Sequence, residues 1–300
     1  MIATPLPGPR PNLFIPGAPK SGTTAWVEYL STHPDITFGA EKEPHYFNFD
    51  LPWMRRTTRE HYRRCYEGAG GHAVRGDASV MYLFSEEAAA AAAAACPGAK
   101  VLILLREPAA FFRSYHNHMR YLGVETVDDP AEAWALSAAR RRGERVPRGC
   151  PDRRAIDYET LVRFGPHVAR WRAAFPAADV KVAWMDEWAG DPRRFYLELM
   201  GFLGLEDDGR DEFARVNEAP AARSPLLMRG LRAARDPVLA LTAPARRLVR
   251  RARGGRRLGA YGAVRAALTK RGSAPPIGEE LAERIRRHAE GDREAVGAGR

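Results

Sequence analysis

Three groups of residues in this 300-residue chain combine types and spacings suited to chemistry. The first is Gly17-Ala18-Pro19-Lys20-Ser21-Gly22-Thr23-Thr24, which follows the apolar run Leu13-Phe14-Ile15. The run predicts a buried strand, and Thr24 to about Thr32 predicts a helix. A strand, glycine loop and helix in that order can hold a phosphate, because loop and first-turn N–H groups converge and the helix dipole adds positive potential. Lys20 contributes a full charge. The second group is Glu41-Lys42-Glu43-Pro44-His45-Tyr46-Phe47-Asn48-Phe49, which follows a predicted short strand at Ile36-Thr37-Phe38. Loops at strand ends carry function disproportionately, and in open α/β sheets the ligand crevice lies outside the carboxyl ends of the strands. The third is Arg106, at the carboxyl end of the apolar run Lys100–Leu105, with Ser114 two turns into the helix predicted from about Ala109 to Leu122.

The glycine loop differs from the ATP-binding loop, which needs G-x-x-x-x-G followed at once by Lys and Ser or Thr. Gly17 and Gly22 keep the glycine spacing, but Thr23 stands where the lysine belongs and Lys20 lies inside the loop. That placement suits a phosphorylated ligand other than the outer phosphates of ATP.

The elements that must position these groups alternate. Strands are expected at Leu13–Ile15, Ile36–Phe38, near Val74–Ser79, at Lys100–Leu105 and at Val180–Trp184. Between them come amphipathic stretches at Thr57–Tyr66, the alanine run Ala88–Ala95 behind Ser85-Glu86-Glu87, Pro130–Arg142, Tyr158–Phe175 and Pro192–Leu203, the last ended by Gly204. Continuous apolar strands alternating with helices predict an α/β fold, a mostly parallel sheet covered on both faces. Residues 1–215 are expected to form this core. Residues 216–300 are expected to be a basic, mainly helical extension closing on the core within a single domain overall. They contain the arginine-rich segment Arg246–Arg257, the turn-rich Lys270-Arg271-Gly272 and a final helix from Glu279 to His288.

Hydrophobic content of 45% is that of a globular protein, and a net charge of +10 suits an anionic ligand or polymer. Cys65, Cys96 and Cys150 are odd in number and far apart, which supports neither a disulfide framework nor a zinc ribbon. Reduced thiols, no charged and apolar leader, and no run long enough to span a membrane predict a cytoplasmic protein.

Taken together, these residues resemble the sulfotransferase family that uses 3′-phosphoadenosine 5′-phosphosulfate (PAPS), in particular its carbohydrate branch of heparan sulfate sulfotransferases and bacterial relatives. Pro19-Lys20-Ser21-Gly22-Thr23-Thr24 is similar to that family's 5′-phosphosulfate loop. Leu104-Leu105-Arg106-Glu107-Pro108 with Ser114 is similar to its 3′-phosphate site, and Glu43-Pro44-His45-Tyr46-Phe47 to the segment that holds its catalytic glutamate. A weaker similarity runs from Tyr158 to Leu205. The resemblance implies a P-loop-like three-layer fold and PAPS as co-substrate, with no metal. Arg106 and Ser114 would hold the 3′-phosphate, a planar guanidinium fork beside a hydroxyl donor. Glu43 would be the general base, Lys20 would neutralise charge on the leaving phosphate, and His45 would hold the acceptor or share the proton. Lys270-Arg271-Gly272 would match a late basic-glycine loop over the nucleotide. The Glu-Lys-Ser/Thr-Pro segment of many members has no counterpart here, where Gly76-Asp77-Ala78-Ser79-Val80-Met81-Tyr82 stands instead.

The implied reaction is transfer of a sulfuryl group to an acceptor hydroxyl of a carbohydrate, glycolipid or small metabolite. Two alternatives remain open at this level. One is a nucleotide-dependent kinase with a degenerate phosphate loop. The other is a basic nucleic-acid or membrane-surface binder working through Arg246–Arg257, although no nucleic-acid module accompanies that segment and nucleic acid is not the expected partner.

Overall fold

In the computed structural model, residues 5–214 (except 52, 55 and 56), 220–222, 269–271 and 274–297 are described. Arg246–Arg257 and Gly272 lie outside the described residues. The chain divides into two units, one of residues 1–111, 159–217 and 279–300, the other of residues 112–158 and 218–278.

The first unit is built on a five-stranded sheet of β1 (Leu13–Phe14), β2 (Ile36–Thr37), β3 (Val74–Asp77), β4 (Lys100–Leu105) and β5 (Val180–Trp184). Their order is β2-β3-β1-β4-β5, and every neighbouring pair is parallel. As regular structure β1 is shorter than the apolar run suggested, but its ladder continues into the loop. Ile15 N donates to Asp77 O at 2.8 Å, Leu104 N to Gly17 O at 2.8 Å and Ala18 N to Leu104 O at 2.6 Å. The central strand therefore delivers the glycine loop while still bonded to both neighbours.

Alternation along the strands covers both faces. Leu13, Ile15, Leu102 and Leu104 join one cluster with Trp26, Val27 and Leu30 of α1 (Thr23–Leu30) and Phe195, Leu199 and Met200 of α10 (Pro192–Leu203). Phe14 points the other way, 6.2 Å between ring centres from Trp171 of α8 (Phe164–Ala174) and 5.9 Å from Phe47. Period-two side chains in a strand buried on both sides require this arrangement, and the expected helix-covered parallel sheet is the one observed. Gly204 closes α10 at φ 73°, the left-handed conformation glycine adopts at low cost. Besides these, α2 (Arg59–Arg64), the alanine helix α3 (Ala88–Ala95), the short α9 (Met185–Trp188) and the C-terminal α11 (Glu279–His288) and α12 (Asp292–Gly297) belong to this unit. Among the described residues no helix is long and apolar enough to cross a membrane.

Two expected helices are broken. The pattern from Tyr158 to Phe175 splits into α7 (Tyr158–Leu161) and α8, because Pro166 has no N–H and its ring would meet the carbonyl of residue 162 in an unbroken helix. Pro130–Arg142 splits into α5 (Pro130–Ala135) and α6 (Ser137–Arg141) in the second unit. There the buried Arg140 guanidinium donates to Ala133 O at 3.3 Å and pairs with Glu125 at 2.8 Å. It thereby takes up a carbonyl near the break. Tyr158 OH also donates to Glu125, at 2.8 Å, so the buried carboxylate is well supplied with donors. Helix α4 (Pro108–Tyr121) carries Ser114, which is buried. In the same unit β6 (Pro220–Ala222) pairs antiparallel with β7 (Thr269–Arg271), so Lys270 and Arg271 lie in a strand, not a loop.

Candidate active site

The glycine loop owes its path to two positions that only glycine fits. A Cβ on Gly17 (φ 152°) would lie 2.6 Å from Val80 O and 2.9 Å from Leu83 Cβ. A Cβ on Gly22 (φ 84°) would lie 2.6 Å from the Trp188 ring. Gly22 is the N-cap of α1 and brings no side-chain hydrogen bond to the first-turn amides. Lys20 itself is left-handed (φ 66°), a strained conformation for a residue with a Cβ. Ser21 is fully buried, and its hydroxyl has no hydrogen-bond partner among the described residues.

Cations gather on this loop. Arg106, immediately after β4, donates from a terminal guanidinium nitrogen to Lys20 O at 3.2 Å. Lys42 Nζ donates to Thr24 Oγ1 at 2.8 Å and to Glu43 Oε1 at 3.2 Å. The Lys20 ammonium is held below its ordinary range first by burial, then by the charges of Arg106 and Lys42. A site that crowds three cations favours an anion, which would relieve both burial and repulsion.

Glu43 is bound into the same cluster. His45 Nε2 lies 3.2 Å from Glu43 Oε2, and a carboxylate can only accept, so the ring donates. Burial raises Glu43, but the hydrogen bond from His45 and the charge of Lys42 outweigh it and leave the carboxyl below its ordinary value. Glu43 is therefore ionised at neutral pH and oriented from both sides. His45 is left-handed (φ 49°), and its buried Nδ1 has no partner among the described residues.

The strain in this turn is held by a buried polar network beneath it. His45 N donates to Ser79 Oγ at 3.0 Å, and Ser79 Oγ donates to Asp77 Oδ1 at 2.6 Å. Asp77 Oδ2 accepts from Tyr62 OH at 2.7 Å and from Tyr82 OH at 3.1 Å. Tyr82 OH in turn accepts from Tyr46 N at 2.7 Å. Burial raises the Asp77 carboxyl, against the hydrogen bonds from Ser79 and the two tyrosines. Asp77 and Ser79 sit where the Glu-Lys-Ser/Thr-Pro segment is missing, and here they brace the loop from below.

The structure thus brings together Lys20, Ser21, Gly22, Thr23, Thr24, Glu43, His45 and Arg106 in one unit. Ser114, Lys270 and Arg271 fall in the other unit. Lys42, Asp77, Tyr62 and Tyr82 did not stand out in the sequence. Lys42 belongs to the second group but the sequence gave it no role of its own, while Asp77 gave a weak signal by ending a predicted strand. Orphaned Ser21 and the crowded cations fit an anionic group at the loop.

No family model matches the chain. It is 26% identical over 212 residues to the human bifunctional heparan sulfate N-deacetylase/N-sulfotransferase 3, covering 65% of this chain and 22% of that protein. It is 30% identical over 117 residues to the membrane-associated sulfotransferase kil1 of Dictyostelium discoideum, covering 37% and 24%. With mouse heparan sulfate glucosamine 3-O-sulfotransferase 6 it shares 23% over 219 residues, covering 67% and 54%. The chain spans less than a quarter of the length of the first two. Among solved structures it is similar to a sulfotransferase from Alicyclobacillus acidocaldarius, with a TM-score of 0.61 and 29% identity, covering 84% of this chain and 98% of that one. These relatives bear out the resemblance to sulfotransferases of the heparan sulfate type, and the solved structure bears out the fold.

Proposed function

We propose that the protein transfers a sulfuryl group from PAPS to a hydroxyl of a carbohydrate-type acceptor. The observation that carries this reading is the contact of an ionised, doubly braced Glu43 with the cation-rich glycine loop through Lys42. The sulfotransferases among the relatives support it, and the heparan sulfate types among them favour a glycan acceptor.

In this reading Glu43 takes the proton of the acceptor hydroxyl as its oxygen attacks sulfur in line. The bond from sulfur to the phosphate oxygen breaks, and the departing adenosine 3′,5′-bisphosphate gathers negative charge. Lys20 and the amides of Ser21 to Thr24 offset that charge from fixed positions, the preorganised electrostatic role. Arg106 holds the 3′-phosphate with its planar guanidinium fork. His45 keeps Glu43 oriented toward the incoming hydroxyl. Lys42 ties the base to Thr24 at the start of α1.

The test is incubation of the full chain with PAPS and a panel of oligosaccharides and glycolipids, with mass spectrometry for products heavier by one sulfo group. Isothermal titration without magnesium should show tight binding of adenosine 3′,5′-bisphosphate. Magnesium-dependent ATP binding in its place would overturn the reading in favour of a kinase.

A further inference from the structure

Beside the proposed site lies a second cluster of ligating side chains. His61 and Cys65 are four residues apart on α2 and its C-terminal cap, one helical turn, so both stand on one face. Glu41 reaches that face because the chain before it is fastened to the end of α2. Ala40 N donates to Cys65 O at 2.9 Å. Gly39 (φ 50°) lets the backbone pass where a Cβ would lie 3.0 Å from the same carbonyl. As a result His61 Nε2 lies 2.8 Å from Glu41 Oε1, and one ligating atom from each of Glu41, His61 and Cys65 lies within 4.8 Å of the others.

We propose that Glu41, His61 and Cys65 form a binding site for a zinc-class divalent cation, with water as the fourth ligand. One oxygen, one nitrogen and one sulfur make a borderline-soft set, whereas magnesium and calcium take oxygen ligands. Donors at tetrahedral zinc lie roughly 3.3–3.7 Å apart, given bond lengths of about 2.0–2.3 Å. Small side-chain rotations therefore close the cluster around an ion. Cys65 is buried, while Glu41 and His61 are half-buried, which leaves room for an ion to enter and for a water to complete the shell. On binding, the Cys65 thiol releases its proton to solvent as the sulfur–metal bond forms, and no electrons are exchanged. The Nε2 lone pair of a neutral His61 replaces its present hydrogen bond to Glu41. Because Glu41 directly precedes Lys42 and Glu43, the ion clasps the start of that loop to α2. The inference rests on this cluster alone and does not depend on the proposed reaction.

Cobalt(II) is the probe, titrated into the tag-free full chain under a non-chelating reductant. One equivalent should give a thiolate-to-cobalt charge-transfer band together with the strong visible bands of a tetrahedral ion, both bleached by zinc. Cys65→Ser should remove the charge-transfer band. His61→Ala and Glu41→Gln should each weaken cobalt binding by at least about tenfold. Glu41→Gln alters only a half-buried group and should leave the circular dichroism unchanged, which keeps the test valid if Cys65→Ser misfolds. A missing charge-transfer band, a band that survives Cys65→Ser, or unchanged affinity in Glu41→Gln would overturn the site.

Discussion

Glu43 and Arg106 carry the most separable roles at the scale of single residues. Glu43→Gln keeps the shape and one oxygen to accept from Lys42 or His45, but removes the proton acceptor. It should lower turnover by about 10²- to 10⁴-fold, the usual worth of a general base, with adenosine 3′,5′-bisphosphate binding unchanged by calorimetry. Arg106→Ala should weaken adenosine 3′,5′-bisphosphate by roughly tenfold to a hundredfold, the range for a hydrogen bond to a charged group. Adenosine 5′-monophosphate, which lacks the 3′-phosphate, should be barely affected, and equal weakening of both would refute the assignment. The two residues differ in how much of their setting is local. Arg106 was legible because it ends an unmistakable apolar strand. Lys42 was not, since its meaning comes from Thr24, eighteen residues earlier, and appears only when α1 and the loop meet.

Among the elements, the strained turn at His45 depends on its buried scaffold more than on its own sequence. Asp77→Ala would leave Ser79 and two tyrosine hydroxyls without their acceptor. At about 1–3 kcal/mol for each orphaned buried group, several kcal/mol of stability should go. Denaturant melts would measure the loss, and Tyr62→Phe, which removes one donor only, should cost clearly less. Gly22→Ala places a methyl against Trp188 and forces a left-handed alanine, so it should lose roughly 1–3 kcal/mol by the same measure. The strands and most helices were readable from run length and period, because those signals are local. Tyr158–Phe175 misled for the same reason: its apolar spacing is helical throughout, while the break is set by the missing N–H of Pro166. Asp77 was hard to single out because its partners, Tyr62 and Tyr82, are brought to it by tertiary packing.

For the whole molecule, one buried histidine should shape the response to acid. His167 is held down to about 4, first by burial and then by the charge of Arg170. It is neutral in the fold, whereas in the unfolded chain it protonates near its ordinary 6.5. Its contribution is thus fully present above about pH 6.5 and is lost as pH falls toward 4, a span on the order of 3 kcal/mol. His167→Gln should flatten that part of the stability profile relative to the parent, and an unchanged slope would count against the assignment. The strand order carries a further consequence, for how the molecule comes to exist. Leu13 is in register with Gly76 on one side and Lys100 on the other. The strand that delivers the anion loop is therefore central in space but pairs only with partners far along the chain. Such long-range pairing slows folding. The loop should gain its shape with the final cooperative step of refolding rather than as an early local turn, and the Ile15 amide should exchange with solvent only when the whole sheet opens.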